Sequence, residues 1–260
     1  MNIKPKILIL KADGINRDVE LANAFELAGG HADIVHVNQL RENKKRLKRY
    51  QIIALPGGFS YGDDVISGKI HAVELTSFFS DALQEFINRP DTLMIGICNG
   101  FQALIRTGLL PFRTIGKMQA TLTDNSSGHF ECRWIRMQIE AKSRCVFMQE
   151  PMIVSYPVAH GEGRFYAEKN ILQKIEDQSQ VVLRYIGQMD RPTQSYPFNP
   201  NGAVNAIAGI CDSTGRILGL MPHPECFTRI EQHPNWRRGE ILQPQGLELF
   251  KNMIGYAKQN

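Results

Sequence analysis

Four short, continuously apolar segments in the first hundred residues constrain the fold of this chain most. They are residues 6–10, 32–37, 51–56 and 92–97. A stretch with helical spacing, 19–27, lies between the first two and ends at a Gly-Gly pair. Strands that are apolar along their whole length are typical of a parallel sheet covered on both faces. Their alternation with helices predicts an α/β fold.

The second half of the chain has a different pattern. Residues 181–186, 203–210 and 216–220 are strand-like, and the turn sequence CDSTGR separates the last two. A final helix is predicted over 245–258. We therefore predict one domain, residues 1–260, with a single open, mostly parallel sheet flanked by helices and an antiparallel extension in the second half. A chain of 260 residues is long enough to bury one substantial core.

The composition of the chain limits the classes of function that it can have. With 43% hydrophobic and 22% charged residues, the chain is an ordinary globular protein, and its net charge of +4 does not favour nucleic acid or membrane partners. The apolar run at 7–10 is too short for a signal peptide or a spanning helix, so a cytoplasmic location is expected. The five cysteines include no CxxC pair, which favours reduced thiols over disulfides or zinc, and no metal site is predicted.

A basic run, RENKKRLKR at 41–49, allows two interpretations. It is either the solvated face of a helix or a docking patch for an acidic partner. No aromatic residues are interleaved with it, so nucleic-acid binding is not predicted.

The segment MIGICNGFQALIRTG, residues 94–108, has the pattern of a nucleophile elbow. A buried strand ends in Gly96-Ile97-Cys98-Asn99-Gly100, and a helix begins at once. The glycines allow the tight turn that exposes a nucleophile above the sheet. The N–H groups at the start of a helix would also favour the thiolate form of Cys98. A buried core cysteine between packing glycines remains the alternative.

A thiolate nucleophile needs backbone N–H groups that stabilise the developing oxyanion. Gly57 and Gly58, directly after the third predicted strand, are candidates for that loop. The neighbouring segment GDDVISGK, 62–69, is not a phosphate-binding loop, because five residues separate its glycines and Ile70 replaces the required Ser or Thr.

The segment MPHPEC, 221–226, follows another apolar strand and carries His223 and Glu225 on either side of Pro224. Residues i and i+2 of an extended segment project to the same face, so the carboxylate could orient the imidazole. Along this chain the candidate nucleophile comes first, then the histidine and then the acid. In α/β-hydrolases the acid precedes the histidine.

Together these motifs resemble the triad-type (class I) glutamine amidotransferases, which have a flavodoxin-like sheet. Within them, the chain is similar to the glutaminase subunits of phosphoribosylformylglycinamidine synthase over nearly its whole length. The similarity lies in ALPGGFSYGDDVISGKI, GICNGFQALIRTGLLP, NSSGHFECRW, HGEGRF, RPTQSYPFNPNG and GLMPHPE, among other segments.

The resemblance implies a role for each matching residue. Cys98 would be the nucleophile, His223 the general base and acid, and Glu225 the acid that orients it. Gly58, Phe59 and Asn99 would be the backbone donors of the oxyanion hole, and Gln102 would contact the bound glutamine. His160-Gly161-Glu162-Gly163 is either a chance turn or the family's segment near the glutamine site, and the role of the loop 191–202 stays open.

The implied reaction is glutamine hydrolysis through a thioester, with ammonia passed to a synthetase partner. The resemblance implies no cofactor in this subunit, ATP and Mg on the synthetase, and a small bridging subunit. Another thiol hydrolase with the same elbow, such as a relative of cysteine peptidases or deglycases, is the alternative.

Two departures from the family pattern stand out. Cys226 occupies a position where arginine is expected, which puts a local ion pair in doubt. The segment 227–245 lengthens the chain, and we expect it to contact the partner rather than form a local Ω-like loop. Its predicted anchors are Phe227, Arg229, Trp236, Arg237 and Arg238.

Overall fold

A nine-stranded mixed sheet organises the structure, a computed structural model that describes residues 4–239 and 242–260. Its order is β2-β1-β3-β4-β11-β10-β9-β6-β7. Strands β2, β1, β3, β4 and β11 are parallel, and the other four continue the sheet in antiparallel pairing. A separate two-stranded ribbon pairs β5 with β8. The predicted fold class, with its antiparallel extension in the second half, is confirmed.

The strands are β1 (Lys6–Lys11), β2 (His31–His36), β3 (Ile52–Leu55), β4 (Leu93–Ile97), β5 (Thr121–Thr123), β6 (Glu131–Ile139), β7 (Ile153–His160), β8 (Arg164–Tyr166), β9 (Val181–Tyr185), β10 (Ile207–Cys211) and β11 (Ile217–Leu220). The helices are α1 (Asp18–Leu27), α2 (Val37–Glu42), α3 (Lys69–Asn88), α4 (Asn99–Thr107), α5 (Lys169–Asp177) and α6 (Gln245–Gln259).

The parallel half of the sheet forms the centre of the core. Every residue of β3, β4 and β11 is buried, which means that both faces of the sheet are covered there. Helix α1 packs with α6 through Phe25 and Phe250, whose rings meet edge-on at 5.0 Å, while α3 packs with α4. These contacts explain the continuous apolar runs in the sequence.

The antiparallel half differs in part from the prediction. Strands β6 and β7 were not predicted, because β6 alternates buried positions with arginines and other polar residues instead of forming one apolar run. Strand β10 begins at Ile207 rather than at 203. A tight turn occupies residues 204–206, where Asn205 and Ala206 have positive φ angles of 51° and 56°. The hairpin turn predicted between β10 and β11 is present.

The segment 227–245 begins inside the core. Phe227 is fully buried, and its ring meets Trp134 edge-on at 5.2 Å, so the prediction that Phe227 anchors a partner is wrong. Trp236 is exposed, with the guanidinium of Arg237 5.0 Å from its ring centre. Glu240 and Ile241, also in this segment, lie outside the described residues.

The basic run 41–49 covers the end of α2 and a 3₁₀ turn, and most of it is exposed to solvent. Lys48 pairs with Glu85 of α3 at 2.7 Å, and Arg41 lies over the ring of Phe78 at 3.8 Å. Among the described residues, no helix is both long and apolar enough to span a membrane.

Candidate active site

Cys98 lies in a strained turn between β4 and α4. Its φ and ψ angles are 52° and −107°, which non-glycine residues rarely adopt, and its amide donates to the carbonyl of Leu220 in β11 at 2.8 Å. A Cβ at Gly96 would lie 2.5 Å from the Gly100 carbonyl oxygen, and one at Gly100 only 2.1 Å from that of Leu55. Because neither glycine has a side chain, helix α4 can pack directly against the sheet. The predicted elbow is confirmed.

His223 and Glu225 face this elbow from the end of β11. The Nδ1 atom of His223 lies 2.7 Å from Oε1 of Glu225, and both side chains are buried. The segment is not extended as the i, i+2 argument assumed: Pro224–Cys226 forms a 3₁₀ turn that brings the carboxylate back to the ring. The amide of His223 donates to the Pro157 carbonyl at 2.9 Å, which ties the turn to β7.

The imidazole of His223 also lies close to Cys98. A Cβ at Gly57 would lie 2.8 Å from Cε1 of His223 and 3.5 Å from Cβ of Cys98, so only glycine fits between the loop and the two side chains. The Sγ atom of Cys98 lies 3.6 Å from the Ala159 carbonyl, and Nε2 of His223 has no hydrogen-bond partner within the described residues. That nitrogen is free to exchange a proton with the thiol or the substrate.

Electrostatics decide the charge of His223. Burial alone would lower its pKa, but the negative charges of Glu225 and Cys98 outweigh burial and raise the pKa to about 10. At neutral pH the ring is therefore protonated. An imidazolium beside Cys98 stabilises negative charge on Sγ, as a thiol nucleophile requires.

The predicted oxyanion donors are not equivalent. The amide of Asn99 is the first of α4 and has no acceptor within its helix, and Gly58, with φ of 140°, packs on the backbone of Ile15 and Asn16. The amide of Phe59, in contrast, donates to the Gly14 carbonyl at 3.0 Å. Phe59 therefore does not fit the predicted role of an oxyanion donor, because its backbone N–H already donates to another carbonyl.

A hydrogen-bonded network supports the elbow helix. The side chain of Asn99 donates to Asp63 at 2.9 Å and to Gln102 at 3.2 Å. Gln102 in turn donates to the Glu162 carbonyl at 2.6 Å. Burial raises the pKa of Asp63, and its hydrogen bonds with Ser67 and Asn99 oppose that rise. The segment 160–163 is therefore part of the site and not a chance turn, while the glutamine contact of Gln102 stays a prediction.

His160 forms a second buried network, and it directly follows Ala159, whose carbonyl contacts the thiol of Cys98. Its Nδ1 lies 3.1 Å from Oδ1 of Asn125, and its Nε2 lies 3.4 Å from Nδ2 of Asn201. Asn201 also donates to the hydroxyl of Tyr185 at 2.9 Å. Burial, helped by the charge of His223, lowers the pKa of His160 to about 3. This histidine is therefore neutral.

Asp63, Asn125 and Asn201 were not identified from the sequence as site residues. Asp63 lies in the segment that was considered as a phosphate-binding loop, and Asn125 and Asn201 lie in segments noted for their resemblance to the family. Nothing in the local pattern separates a buried polar side chain of a loop from an exposed one. Their partners lie on other loops, so only the folded chain shows their role.

Metal-ligand spacing occurs at one place within residues 4–239 and 242–260. One ligand atom each of His223, Glu225 and Cys226 lies within 4.8 Å of the others. Two of these residues form the His223–Glu225 pair itself. The third is a poor ligand, because burial and the charge of Glu225 raise the pKa of the Cys226 thiol to about 12.

The fold and the comparisons with known proteins define a glutamine amidotransferase domain. The family model for the CobB/CobQ-like glutamine amidotransferase domain matches residues 4–257. The chain is 42% identical to phosphoribosylformylglycinamidine synthase subunit PurQ of Dehalococcoides mccartyi, over 98% of this chain and 99% of that protein. Identity to the Treponema denticola protein of the same name is 43%, over 98% and 100%. The chain belongs to this family of PurQ glutaminase subunits.

Solved structures agree with this assignment. The structure of PurLQS from Thermotoga maritima superimposes with a TM-score of 0.74 at 28% identity, covering 98% of this chain and 99% of the matched one. A glutamine amidotransferase from the same organism superimposes with a TM-score of 0.58 at 14% identity, which supports the fold alone.

Proposed function

We propose that this chain is the glutaminase subunit of phosphoribosylformylglycinamidine synthase, and that it uses Cys98, His223 and Glu225 to release ammonia from glutamine. The observation that carries the proposal is the position of Cys98: its strained elbow places the thiol beside a buried imidazole that a carboxylate holds at 2.7 Å. That arrangement suits acyl transfer from a carboxamide.

The reaction follows from these positions. The thiolate of Cys98 attacks the side-chain amide carbon of glutamine, and the oxyanion that forms accepts hydrogen bonds from the amides of Gly58 and Asn99. Nε2 of His223 then donates its proton to the departing nitrogen, which leaves as ammonia. The neutral imidazole next takes a proton from water, and the hydroxide attacks the γ-glutamyl thioester. Glutamate leaves and the thiolate is regenerated.

Glu225 and Gln102 have supporting roles in this proposal. Glu225 accepts from Nδ1 of His223 and so directs Nε2 at the reacting atoms. Gln102 contacts the bound glutamine from the first turn of α4, where the elbow places its side chain close to Glu162.

The ammonia is consumed by a partner. We propose a synthetase subunit that binds ATP and Mg and converts formylglycinamide ribonucleotide to the amidine, together with a small bridging subunit. The similarity to proteins named as synthase subunits, and to a chain of PurLQS, supports an assembly of this kind. The chain itself has no phosphate-binding loop motif, and no cofactor is proposed for it. The expected cytoplasmic location and the contact of Trp236, Arg237 and Arg238 with the partner stay predictions.

Replacement of Cys98 tests the proposal. In the assembled complex, Cys98→Ala should lower glutamine-dependent synthesis by about a thousandfold or more, because the nucleophile is gone. Synthesis supplied with ammonia should survive, since that step belongs to the partner. Cys132→Ala is the matched control, because Cys132 is an exposed thiol. Continued glutamate release by Cys98→Ala would overturn the assignment, and turnover of peptides instead of glutamine by the wild type would favour another thiol hydrolase.

A further inference from the structure

Arg106 is a buried arginine in the last turn of α4 that the proposed reaction does not use. Its side chain is 5% exposed. It lies about 12 Å along the axis of α4 from the end of the helix that carries Cys98. A buried guanidinium needs carbonyl or carboxylate partners, because its charge and its N–H groups have lost water. The partners of Arg106 therefore show which parts of the chain it holds together.

The guanidinium of Arg106 bridges three segments. Its Nε donates to the carbonyl of Ser67 at 2.8 Å, and its Nη2 donates to the carbonyl of Leu122 at 3.1 Å. The same Nη2 lies 3.8 Å from Oε2 of Glu162, whose side chain is 19% exposed. Arg106 therefore joins the elbow helix to the loop before α3, to β5 and to the segment 160–163.

Glu162 completes this arrangement from the other side of Ser67. Both oxygens of its carboxylate accept from the amide of Ser67 at 3.3 Å. The N–H of Ser67 is therefore held by the carboxylate and its C=O by the guanidinium, while the two charged groups pair with each other. Loss of one member of a buried ion pair is destabilising, because the other charge stays buried without its partner.

Gln102 and Arg106 hold residue 162 from the same face of α4. They are four positions apart, so their side chains lie one above the other on the helix. Nε2 of Gln102 donates to the carbonyl of Glu162 at 2.6 Å, while Arg106 pairs with its carboxylate. Two side chains of the helix that begins at the elbow therefore fix the position of Glu162.

The strand end that leads into this segment also borders the thiol. The carbonyl of Ala159 lies 3.6 Å from Sγ of Cys98. A shift of Glu162 relative to α4 would therefore change the space in which a substrate meets the thiol. A misplacement of about 1 Å can change a rate on the order of 100-fold.

We propose that Arg106 is a positioning residue that holds Glu162, and with it the segment 159–163, at a fixed place relative to Cys98, and so sets the affinity for glutamine. The inference rests on the glutaminase function proposed above. Arg106 acts through Glu162 and Ser67, at a distance from the reacting atoms. Its removal should therefore raise the KM for glutamine more than it lowers kcat, because the thiol and His223 stay in place.

Steady-state kinetics of the assembled complex test the proposal. We expect Arg106→Met, which removes the cation and its N–H donors, to raise KM about tenfold and to change kcat by less than about threefold. Arg106→Lys should raise KM by only about threefold, because it keeps the charge but lacks the planar fork that reaches two carbonyls. Synthesis supplied with ammonia should be unchanged in both variants, which shows that the complex is intact.

Two alkylating reagents separate positioning from general damage. A diazoketone analogue of glutamine needs the substrate site in order to react with Cys98, whereas iodoacetamide needs only a reactive thiol. Arg106→Met should slow labelling of Cys98 by the analogue about tenfold and leave labelling by iodoacetamide within about twofold, as measured by peptide mass spectrometry. A merely structural loss would change both rates alike.

Arg113→Met is the matched control. Arg113 donates to the carbonyl of Ile87 at 2.7 Å and lies 3.7 Å from Asp212. Asp212 accepts from the amide of Ile217, the first residue of β11, at the end of that strand opposite to the site. Arg113→Met should lower the free energy of unfolding but change neither KM nor either labelling rate.

The ion pair itself is tested with Glu162→Gln. Glutamine keeps an oxygen for the amide of Ser67 but has no charge for Arg106 to compensate. Arg106→Met should therefore raise KM less when it is combined with Glu162→Gln than when it is made in the wild type.

An unchanged KM in Arg106→Met, equal slowing of both labelling reactions, or strictly additive effects of the two substitutions would each overturn the proposal. If Arg106→Met does not assemble, Arg106→Lys decides, and an unchanged KM with unchanged analogue labelling would equally overturn it. Failure of the wild-type complex to release glutamate, with iodoacetamide labelling of Cys98 intact, would instead refute the glutaminase function itself.

Discussion

Two buried histidines of the site carry different charge states, one positive and one neutral. His223, after β11, and His160, at the end of β7, are each 3% exposed. Burial lowers the pKa of both, yet that of His223 is raised to about 10 and that of His160 is lowered to about 3. The difference lies in their partners: His223 faces a carboxylate and a thiol, whereas His160 faces the side-chain amides of Asn125 and Asn201.

The comparison shows that burial does not decide the charge of a histidine in this site. A carboxylate at 2.7 Å reverses the effect of burial, while neutral amides leave it in place. In the proposed reaction the charged ring moves protons, whereas the neutral ring holds the segment 160–163 against the loop that carries Asn201. The two rings should therefore respond differently to substitution and to pH.

The largest expected effect is on turnover. His223→Ala should lower the glutaminase kcat on the order of 10⁴-fold or more, because the residue that accepts and donates the proton is lost. His160→Gln should lower kcat far less, since this ring transfers no proton in the proposed reaction. Steady-state glutamate release by both variants in the complex is the measurement, and similar losses would contradict the division of roles.

Glu225→Gln should also lower kcat, but the loss should be about tenfold to a hundredfold smaller than the loss caused by His223→Ala. The amide keeps the shape of the side chain but no longer stabilises the imidazolium. An NMR titration of His223 in this variant should show a pKa below that of the wild type. The pKa values of His223 and His160 would then differ less. An unchanged titration would mean that Glu225 does not set the charge.

Packing around the neutral histidine can be tested with neighbouring glycines. A Cβ at Gly163 would lie 2.5 Å from Cε1 and Nδ1 of His160, whereas one at Gly161 would meet nothing closer than Phe130 at 3.8 Å. Gly163→Ala should therefore lower the free energy of unfolding by about 1–3 kcal/mol, and Gly161→Ala should be nearly neutral. Chemical denaturation measures both, and a reversed order would show that the His160 ring is not tightly held.

The pH dependence of stability should have opposite signs at the two histidines. Below the ordinary pKa of 6.5, His160 binds a proton in the unfolded chain but stays neutral in the folded one. Stability is therefore lost as pH falls toward about 3. The raised pKa of His223 contributes stability that is fully present below 6.5 and is lost as pH rises toward about 10. Each slope should reach at most about 1.4 kcal/mol per pH unit.

Difference curves isolate these slopes. The difference in free energy of unfolding between the wild type and His160→Gln should vary with pH only on the acid side. The difference between the wild type and His223→Gln should vary with pH only on the alkaline side. Slopes of the same sign would refute the assignment of one neutral and one charged ring.

The sequence by itself determined the parallel half of the sheet, the elbow and the candidate triad. The first two features depend on local patterns: continuous apolar runs are typical of a sheet covered on both faces, and the glycines around Cys98 permit a tight strand-to-helix turn. The pairing of His223 with Glu225 was also predictable from their spacing, although the 3₁₀ turn that achieves it was not.

Only the tertiary structure decided the features that depend on partners far apart in the sequence. The amide of Phe59 donates to the Gly14 carbonyl, Phe227 is buried against Trp134, and the side chain of Asn125 contacts Nδ1 of the buried His160. A hydrogen bond or a charge acts through space, and no local pattern records which distant residue the fold brings within its reach.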